Sequence, residues 1–202
     1  ERNVEFLEKR IAKTIGRKFA VAVNSGTDAL HFSLIVNNIG PGDEVLVTNF
    51  SWISSASVVS MVGATPVFCD VDLETNHMSI DSIKRMYSDK VKAIIYPHLF
   101  GNISDMQFVQ KYCEEKNIKL IEDACQSFGA NRDGQYAGTF GDVSTLSFNA
   151  NKPVAGLAGG GAFLTDNKEE ANLVRKLRRH GNNEVLGYNS KMLAINAEFI
   201  NF

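Results

Sequence analysis

The chain has 202 residues and is 44% hydrophobic, which is enough apolar sequence for a sizeable core in one large domain or two small ones. Lys and Arg (21) nearly balance Asp and Glu (23), giving a net charge of −2 without a basic run, and this gives no support to nucleic-acid binding. Three cysteines, Cys69, Cys113 and Cys125, form no C-x-x-C pair, which argues against a disulfide or zinc framework and for a reducing compartment.

Hydrophobic periodicity predicts helices and strands in alternation along the chain. The first helix covers residues 3–15, where apolar residues recur near helical spacing. The elements predicted after it are a strand at 19–23, a helix opened by SGTDAL at 25–30, a strand at 44–48, a helix at 52–61, a strand at 65–69, a helix at 79–87, a strand at 91–96, a helix at 104–117, a strand at 119–123, and, beyond a glycine-rich loop through Gly141, strands at 143–148 and 161–165.

This alternation indicates parallel βαβ crossovers, and therefore an α/β sheet with helices on both faces. Ligands of such sheets bind at the carboxyl ends of the strands. The residues at or just after the ends of predicted strands are the candidates for a site: Ser25, Gly26, Thr27, Trp52, His98, Asp123, Ser147 and Lys152.

Lys152 follows an apolar strand and precedes the glycine cluster Gly156, Gly159, Gly160 and Gly161. An amine at the end of a buried strand suits a nucleophile that forms a Schiff base. A solvated loop lysine is the alternative. The glycines precede a strand rather than a helix, so close backbone packing explains them better than phosphate binding does.

The strand followed by SGTDAL outlines an anion site, because backbone N–H groups at a helix start can hold a phosphate. N-capping by Ser25 or Thr27 is the alternative. Asp28 would repel a phosphate, so its side chain is expected to point elsewhere. Neither a nucleoside-triphosphate loop nor a dinucleotide fingerprint is present.

Asp123, at the end of a buried strand, either lies unpaired at a cost in free energy, caps the next loop, or meets a cation supplied by a ligand. Gln126 lies three residues later and could reach the same ligand. Trp52, the single tryptophan, is a stacking platform or part of the core, and base rates favour the core. An anion cradle, an aromatic platform, a carboxylate and an amine together suit pyridoxal 5′-phosphate.

Several motifs, in the order and spacing found here, resemble the DegT/DnrJ/StrS type of sugar aminotransferase: NSGTDAL, GPGDEV, FSW, GATPVFCDVD, HLFGN, IEDACQSFGA, SFNANK, RRHG and GYNSKM. The resemblance covers nearly the whole chain. It implies the fold of type I pyridoxal-phosphate enzymes, with a mostly parallel mixed sheet, and an activity that aminates keto-sugars, usually nucleotide-linked, with glutamate as donor.

The resemblance also implies roles for single residues. Lys152 corresponds to the Schiff-base lysine, Asp123 to the partner of the pyridine nitrogen, Gln126 to the residue near the phenolic oxygen and Trp52 to the ring that stacks on the cofactor. The residues that resemble phosphate ligands are Gly26, Thr27, Ser147 and, from the neighbouring subunit of a homodimer, Asn189. His98 matches a strand-end histidine that we expect to be structural.

Two departures from the family pattern matter. Lys191 stands where arginine is common, and lysine cannot form a bidentate fork. The family also continues into a smaller C-terminal domain, so we expect a fragment with a helical segment at 1–18, a cofactor-binding domain at 19–180 and the start of a connection at 181–202.

The expected function is therefore transfer of an amino group to a nucleotide-linked keto-sugar in the cytoplasm, in amino-sugar or polysaccharide biosynthesis, with no membrane or nucleic-acid partner and no metal. A sugar dehydratase of the same family is an alternative, but those enzymes carry histidine in place of the lysine. A non-catalytic remnant of the fold, and another type I enzyme such as a desulfurase or an amino-acid aminotransferase, are further alternatives.

Overall fold

The computed structural model describes residues 2–201 of the chain. Glu1 and Phe202, the outer ends of the predicted first and last segments, lie outside the described residues. The helices are α1 (Arg2–Ile15), α2 (Gly26–Val36), α3 (Ser54–Met61), α4 (Ile80–Met86), α5 (Met106–Lys116), α6 (Lys168–Leu177) and α7 (Ala194–Asn201). The strands are β1 (Phe19–Val23), β2 (Glu44–Thr48), β3 (Thr65–Cys69), β4 (Val91–Pro97), β5 (Lys119–Asp123), β6 (Asn131–Arg132), β7 (Gln135–Tyr136), β8 (Val143–Ser147) and β9 (Gly161–Thr165).

Seven strands form one sheet in the order β1-β9-β8-β5-β4-β2-β3, and β6 pairs with β7 in a separate short hairpin. Strand β9 runs antiparallel to both of its neighbours, whereas β2–β3, β2–β4, β4–β5 and β5–β8 are parallel pairs. The predicted mostly parallel mixed sheet is confirmed. All strands of the sheet except β9 therefore point their carboxyl ends to the same edge.

Successive side chains of a strand point to opposite faces, and the core divides accordingly. Val21 and Val23 of β1 belong to the hydrophobic cluster that contains buried residues of α2, α3 and α6, whereas Ala20 and Ala22 belong to the cluster that contains buried residues of α1, α4, α5 and α7. Both faces of the sheet are covered, as the runs of apolar residues in its strands predict.

The predicted elements are confirmed with small changes at their ends. The helix expected from Trp52 begins two residues later, at Ser54, and the one expected from Ser104 begins at Met106 after the N-cap Asp105. Helix α6 and the β6–β7 hairpin were not predicted. None of the helices between residues 2 and 201 combines the length and the apolar character that a membrane span requires. The domain boundaries near residues 18 and 180 stay a prediction.

Candidate active site

A cavity of about 400 Å³ lies where the carboxyl ends of β1, β2, β4, β5 and β8 meet. Eight residues have a predicted catalytic or cofactor-binding role, and the cavity brings seven of them together: Gly26, Thr27, Trp52, Asp123, Gln126, Ser147 and Lys152. Their convergence follows from the strand order, because parallel strands present their carboxyl ends along one edge.

The anion-binding side of the cavity is the start of α2. Ser25 is the N-cap, and its Oγ accepts the N–H of Asp28 at 3.0 Å. The amides of Gly26 and Thr27 lie in the first turn and have no acceptor within the helix. A Cβ on Gly26 would lie 2.9 Å from the Cβ of Ser147. A side chain would therefore fill the space between Ser147 and the first turn of α2, which we call the anion cradle. The N-cap interpretation is confirmed for Ser25 and leaves these amides available to an anion.

The carboxylate of Asp28 is turned away from this cradle, as expected, because its Oδ2 accepts the hydroxyl of Ser190 at 2.6 Å. The hydroxyl of Thr27 lies 2.7 Å from that of Ser54 at the start of α3. The start of α2 thus presents amides and hydroxyls, without an opposing carboxylate, to the cavity.

Asp123 ends β5 and is 8% exposed. Its Oδ1 accepts the backbone N–H of Cys125 at 3.1 Å, and its Oδ2 accepts the hydroxyl of Ser55 at 3.3 Å. The carboxylate therefore has a fixed orientation, and it retains the capacity to accept a further hydrogen bond from a cationic group in the cavity.

Lys152 is half-buried in a turn after β8, where its N–H donates to the carbonyl of Asn149 at 2.9 Å. Its ammonium group has no hydrogen-bond or ion-pair partner among residues 2–201. Burial raises the pKa of the neighbouring Cys125 thiol well above its usual value, an effect that the Asp123 charge strengthens and the Lys152 charge opposes. The amine is thus available to a ligand, whereas the raised pKa disfavours the reactive thiolate form of Cys125.

Trp52 is 70% exposed and lines the cavity, so the core position that base rates favour is wrong. The indole is also part of an adjoining cleft of about 580 Å³, which includes Phe50, Phe100 and Lys152. The rings of Phe50 and Phe100 are 6.5 Å apart. Gln126 lines both the cavity and the cleft. Its Oε1 accepts a hydrogen bond from the N–H of Phe100 at 3.0 Å.

His98 is buried, and its Nε2 lies 2.9 Å from Oε1 of Glu122. Burial raises the pKa of Glu122, but the hydrogen bond and charge of His98 and the amides of Gly138 and Gly141 outweigh it, so that the pKa is lowered. This buried pair supports the structural role expected for His98.

Asn189 is exposed and lines neither the cavity nor the adjoining cleft of its own chain. Its backbone forms an isolated antiparallel β-bridge with Arg179. Its expected role as a ligand supplied by a second subunit stays a prediction. Sequence reasoning missed the serines of the site, Ser51, Ser54 and Ser55, although they follow β2 in the same way that Trp52 does.

The close packing expected of the glycine cluster is confirmed for two of its members. A Cβ on Gly161 would overlap the backbone of Ser25, and one on Gly156 would overlap the carbonyl oxygen of Gly159. Gly161 therefore allows β9 to approach the start of α2, and Gly156 allows the loop after Lys152 to fold closely on itself.

Comparison with known proteins gives one consistent result. The family model described as the DegT/DnrJ/EryC1/StrS aminotransferase family matches residues 1–201. The UDP-N-acetyl-3-dehydro-alpha-D-glucosamine 3-aminotransferase of Acidithiobacillus ferrooxidans is 40% identical over 191 residues, which cover 92% of this chain and 52% of that protein. The GDP-perosamine synthase of Caulobacter vibrioides is 38% identical over 202 residues, covering 96% and 54%.

Solved structures agree with these relatives. An aminotransferase from Psychrobacter cryohalolentis matches with a TM-score of 0.96 at 30% identity, over 100% of this chain and 55% of that one. NtdA from Bacillus subtilis with bound cofactor PMP matches with a TM-score of 0.90 at 32% identity, over 98% and 46%. The chain spans about half the length of the curated relatives it matches.

Proposed function

This chain belongs to the DegT/DnrJ/EryC1/StrS aminotransferase family, and we propose from that premise that it forms the cofactor-binding part of a pyridoxal-phosphate enzyme that aminates a keto-sugar. The single observation that carries the proposal is the convergence of Lys152, Asp123, Trp52 and the start of α2 on one cavity. Relatives named as aminotransferases of UDP- and GDP-linked sugars support a nucleotide-linked substrate.

The residues that line the cavity fit the cofactor. Gly26 leaves a space beside Ser147 that a single Cβ would fill, and the amides of the first turn of α2 suit a phosphate. The buried Asp123 carboxylate suits a ring cation, and Lys152 offers an amine without an ionic partner in the described part of the chain. When bound, pyridoxal phosphate supplies an aldehyde that condenses with amines and a cationic ring that withdraws electrons.

Each side chain has a definite task in this scheme. Asp123 would accept a hydrogen bond from the ring N–H, and its negative charge would favour the protonated form of that nitrogen. Lys152 would hold the cofactor through Nζ, and the same amine would move a proton to and from the substrate carbon. Trp52 covers one face of the ring and excludes water from it.

The adjoining cleft is the proposed position of the keto-sugar. Its lining is aromatic on one side and reaches Lys152 on the other, which places a sugar carbonyl within reach of the amine. The apolar C–H face of a sugar ring packs well on Phe50, Trp52 and Phe100, which are all at least 47% exposed. Glutamate is the proposed donor of the amino group, and amino-sugar or polysaccharide biosynthesis the proposed setting.

A homodimer is part of the proposal. Asn189 is exposed and lies outside the cavity of its own chain, so a phosphate role requires that a second copy present it. A cytoplasmic location is proposed because Cys69, Cys113 and Cys125 are free thiols, which persist best in a reducing compartment.

Covalent trapping tests the proposal. Added pyridoxal phosphate is expected to give a new absorbance band, and reduction with borohydride followed by peptide mapping should place the cofactor on Lys152. Lys152→Ala should abolish the adduct, whereas Lys168→Ala, which removes an exposed lysine at the start of α6, should leave it unchanged. An adduct on any other lysine would remove the basis of the proposal.

A further inference from the structure

Helix α3 begins with two serines whose hydroxyls reach different parts of the cavity. Ser54 lies 2.7 Å from the hydroxyl of Thr27, on the anion side, and Ser55 lies 3.3 Å from Oδ2 of Asp123. Ser55 is 2% exposed, so its hydroxyl has no access to bulk water. A buried hydroxyl requires a partner, and Asp123 is that partner.

The direction of these hydrogen bonds follows from proton counting. An ionised carboxylate only accepts, so the single hydroxyl proton of Ser55 goes to Asp123. The hydroxyls of Ser51 and Ser55 are 3.2 Å apart, and Ser51 must be the donor in that pair. The result is a relay from Ser51 to Ser55 to Asp123, in which each bond polarises the next.

The relay and the backbone together fix the Asp123 carboxylate. Oδ2 is held by Ser55, while Oδ1 is held by the N–H of Cys125 at 3.1 Å. One anchor alone would leave the carboxylate plane free to rotate about χ2, which is a soft torsion. Two anchors on different elements, α3 and the turn after β5, set the plane.

We propose that Ser55, supported by Ser51, is a positioning residue that sets the Asp123 carboxylate for its contact with the protonated nitrogen of the cofactor ring. The proposal rests on the proposed function and deepens it. Ser55 acts through Asp123, and its contribution therefore depends on the ring nitrogen of the bound group.

The test compares two cofactors. We would measure dissociation constants of pyridoxal phosphate and of its analogue with carbon in place of the ring nitrogen, for the wild-type chain and for Ser55→Ala. Loss of one hydrogen bond to a charged group should weaken pyridoxal phosphate about fivefold or more. The analogue offers no N–H to Asp123, so the same substitution should change its affinity by less than about twofold.

Two further variants separate positioning from packing. Ser55→Thr keeps the hydroxyl and should restore most of the affinity for pyridoxal phosphate. Ser60→Ala removes an exposed hydroxyl from the same helix and should behave as wild type with both cofactors. Should Ser55→Ala not fold, Ser55→Cys, which keeps the volume but donates weakly, is compared with wild type in the same way.

The outcomes discriminate between the two proposals. Equal weakening of both cofactors by Ser55→Ala, or no weakening of either, would overturn the positioning role while leaving the cofactor assignment intact. If the wild-type chain binds neither compound and borohydride traps nothing on Lys152, the proposed function itself fails. Selective weakening of pyridoxal phosphate with rescue by Ser55→Thr is the expected result.

Discussion

Gly161 at the start of β9 decides how closely the sheet approaches the anion cradle. A Cβ built on this residue would overlap the carbonyl carbon and oxygen of Ser25 and would lie 2.6 Å from the N of Gly26. Contacts this short with backbone atoms cannot be relieved by a rotamer change. The absence of a side chain at Gly161 is therefore a requirement for the position of the α2 N-terminus.

Substitution Gly161→Ala is expected to move β9 away from the start of α2. Overpacking of this kind costs about 1–3 kcal/mol of folding free energy, and the displaced amides should bind pyridoxal phosphate at least about tenfold more weakly, the equivalent of about 1.4 kcal/mol. Urea denaturation and a cofactor titration measure the two effects. Gly40→Ala is the control, because its Cβ would meet only the carbonyl oxygen of Val62 at 3.8 Å. Wild-type behaviour of both variants would contradict this role of Gly161.

The residues of the site were predictable where their position depends on strand ends alone. Asp123 ends one strand and Lys152 follows another, the apolar character of both strands is evident from the sequence, and both residues line the cavity. The roles of Ser51 and Ser55 were not predictable in this way. Their contacts depend on where α3 begins and how it packs on β5, which no local pattern specifies.

At the scale of elements, β1 is an edge strand whose outer backbone groups need partners. Helix α1 and helix α6 supply them with charged side chains. The N–H of Ala22 donates to Oε1 of Glu8 at 3.0 Å, and the carbonyl of Ala22 accepts from Arg178, at the end of α6, at 2.6 Å. Glu8 and Arg178 also pair with each other at 2.5 Å, and both are buried.

Glu8→Ala should destabilise the fold by about 3–5 kcal/mol, because it leaves the buried Arg178 charge and the N–H of Ala22 without this partner. Equilibrium denaturation measures the change. Glu5→Ala, which removes an exposed acid of the same helix, is the control and should shift the free energy of unfolding by less than about 0.5 kcal/mol.

A double variant, Glu8→Leu with Arg178→Leu, separates the charge from the packing. Replacing both members of a buried pair by apolar residues removes the stranded charge, so the double variant should be more stable than Glu8→Ala. If Glu8→Ala costs no more than Glu5→Ala, the pair does not secure the edge of the sheet.

The elements themselves were largely predictable, with exceptions that have physical causes. Helix α6 carries buried Ala171, Val174 and Leu177 at helical spacing after the N-cap Asn167, so its signal was present in the sequence. The antiparallel direction of β9 was not predictable, because strand direction depends on the connection that precedes it and on pairing with β1 and β8.

At the scale of the whole molecule, buried ionisable groups tie distant parts of the fold together. Glu122 in β5 accepts hydrogen bonds from four donors: Nε2 of His98 and the amides of Gly138, Phe140 and Gly141. Arg17, between α1 and β1, donates to the carbonyls of Gly138 and Gly141 in the same loop. The central strand, this loop and the first helix are thereby joined, and protonation of Glu122 would weaken the junction.

Two histidines add to the same dependence on pH. Burial lowers the pKa of His31, which the charge of Asp28 only partly offsets, and burial also lowers the pKa of His77. A group with a lowered pKa in the folded state binds fewer protons there than in the unfolded chain. The contribution of such a group to stability is present above the pKa that it has in the unfolded chain. It is lost as the pH falls through the lower pKa that the group has in the folded chain.

The melting temperature should therefore respond to pH in two steps. It should begin to fall as the pH drops below 6.5, the ordinary value for His31 and His77, and fall further below 4.5, the ordinary value for Glu122, whose pKa is lowered in the fold. Calorimetry between about pH 8 and about pH 3.5 measures this dependence, which spans the ordinary pKa values of both kinds of group. His31→Asn should make the upper step smaller, since His77 remains, and should leave the lower one in place, because Glu122 shares the face of Leu120, which is opposite to α2. A melting temperature that rises on acidification from about pH 7 to about pH 5 would contradict this direction, since it would require the folded chain to bind more protons than the unfolded one.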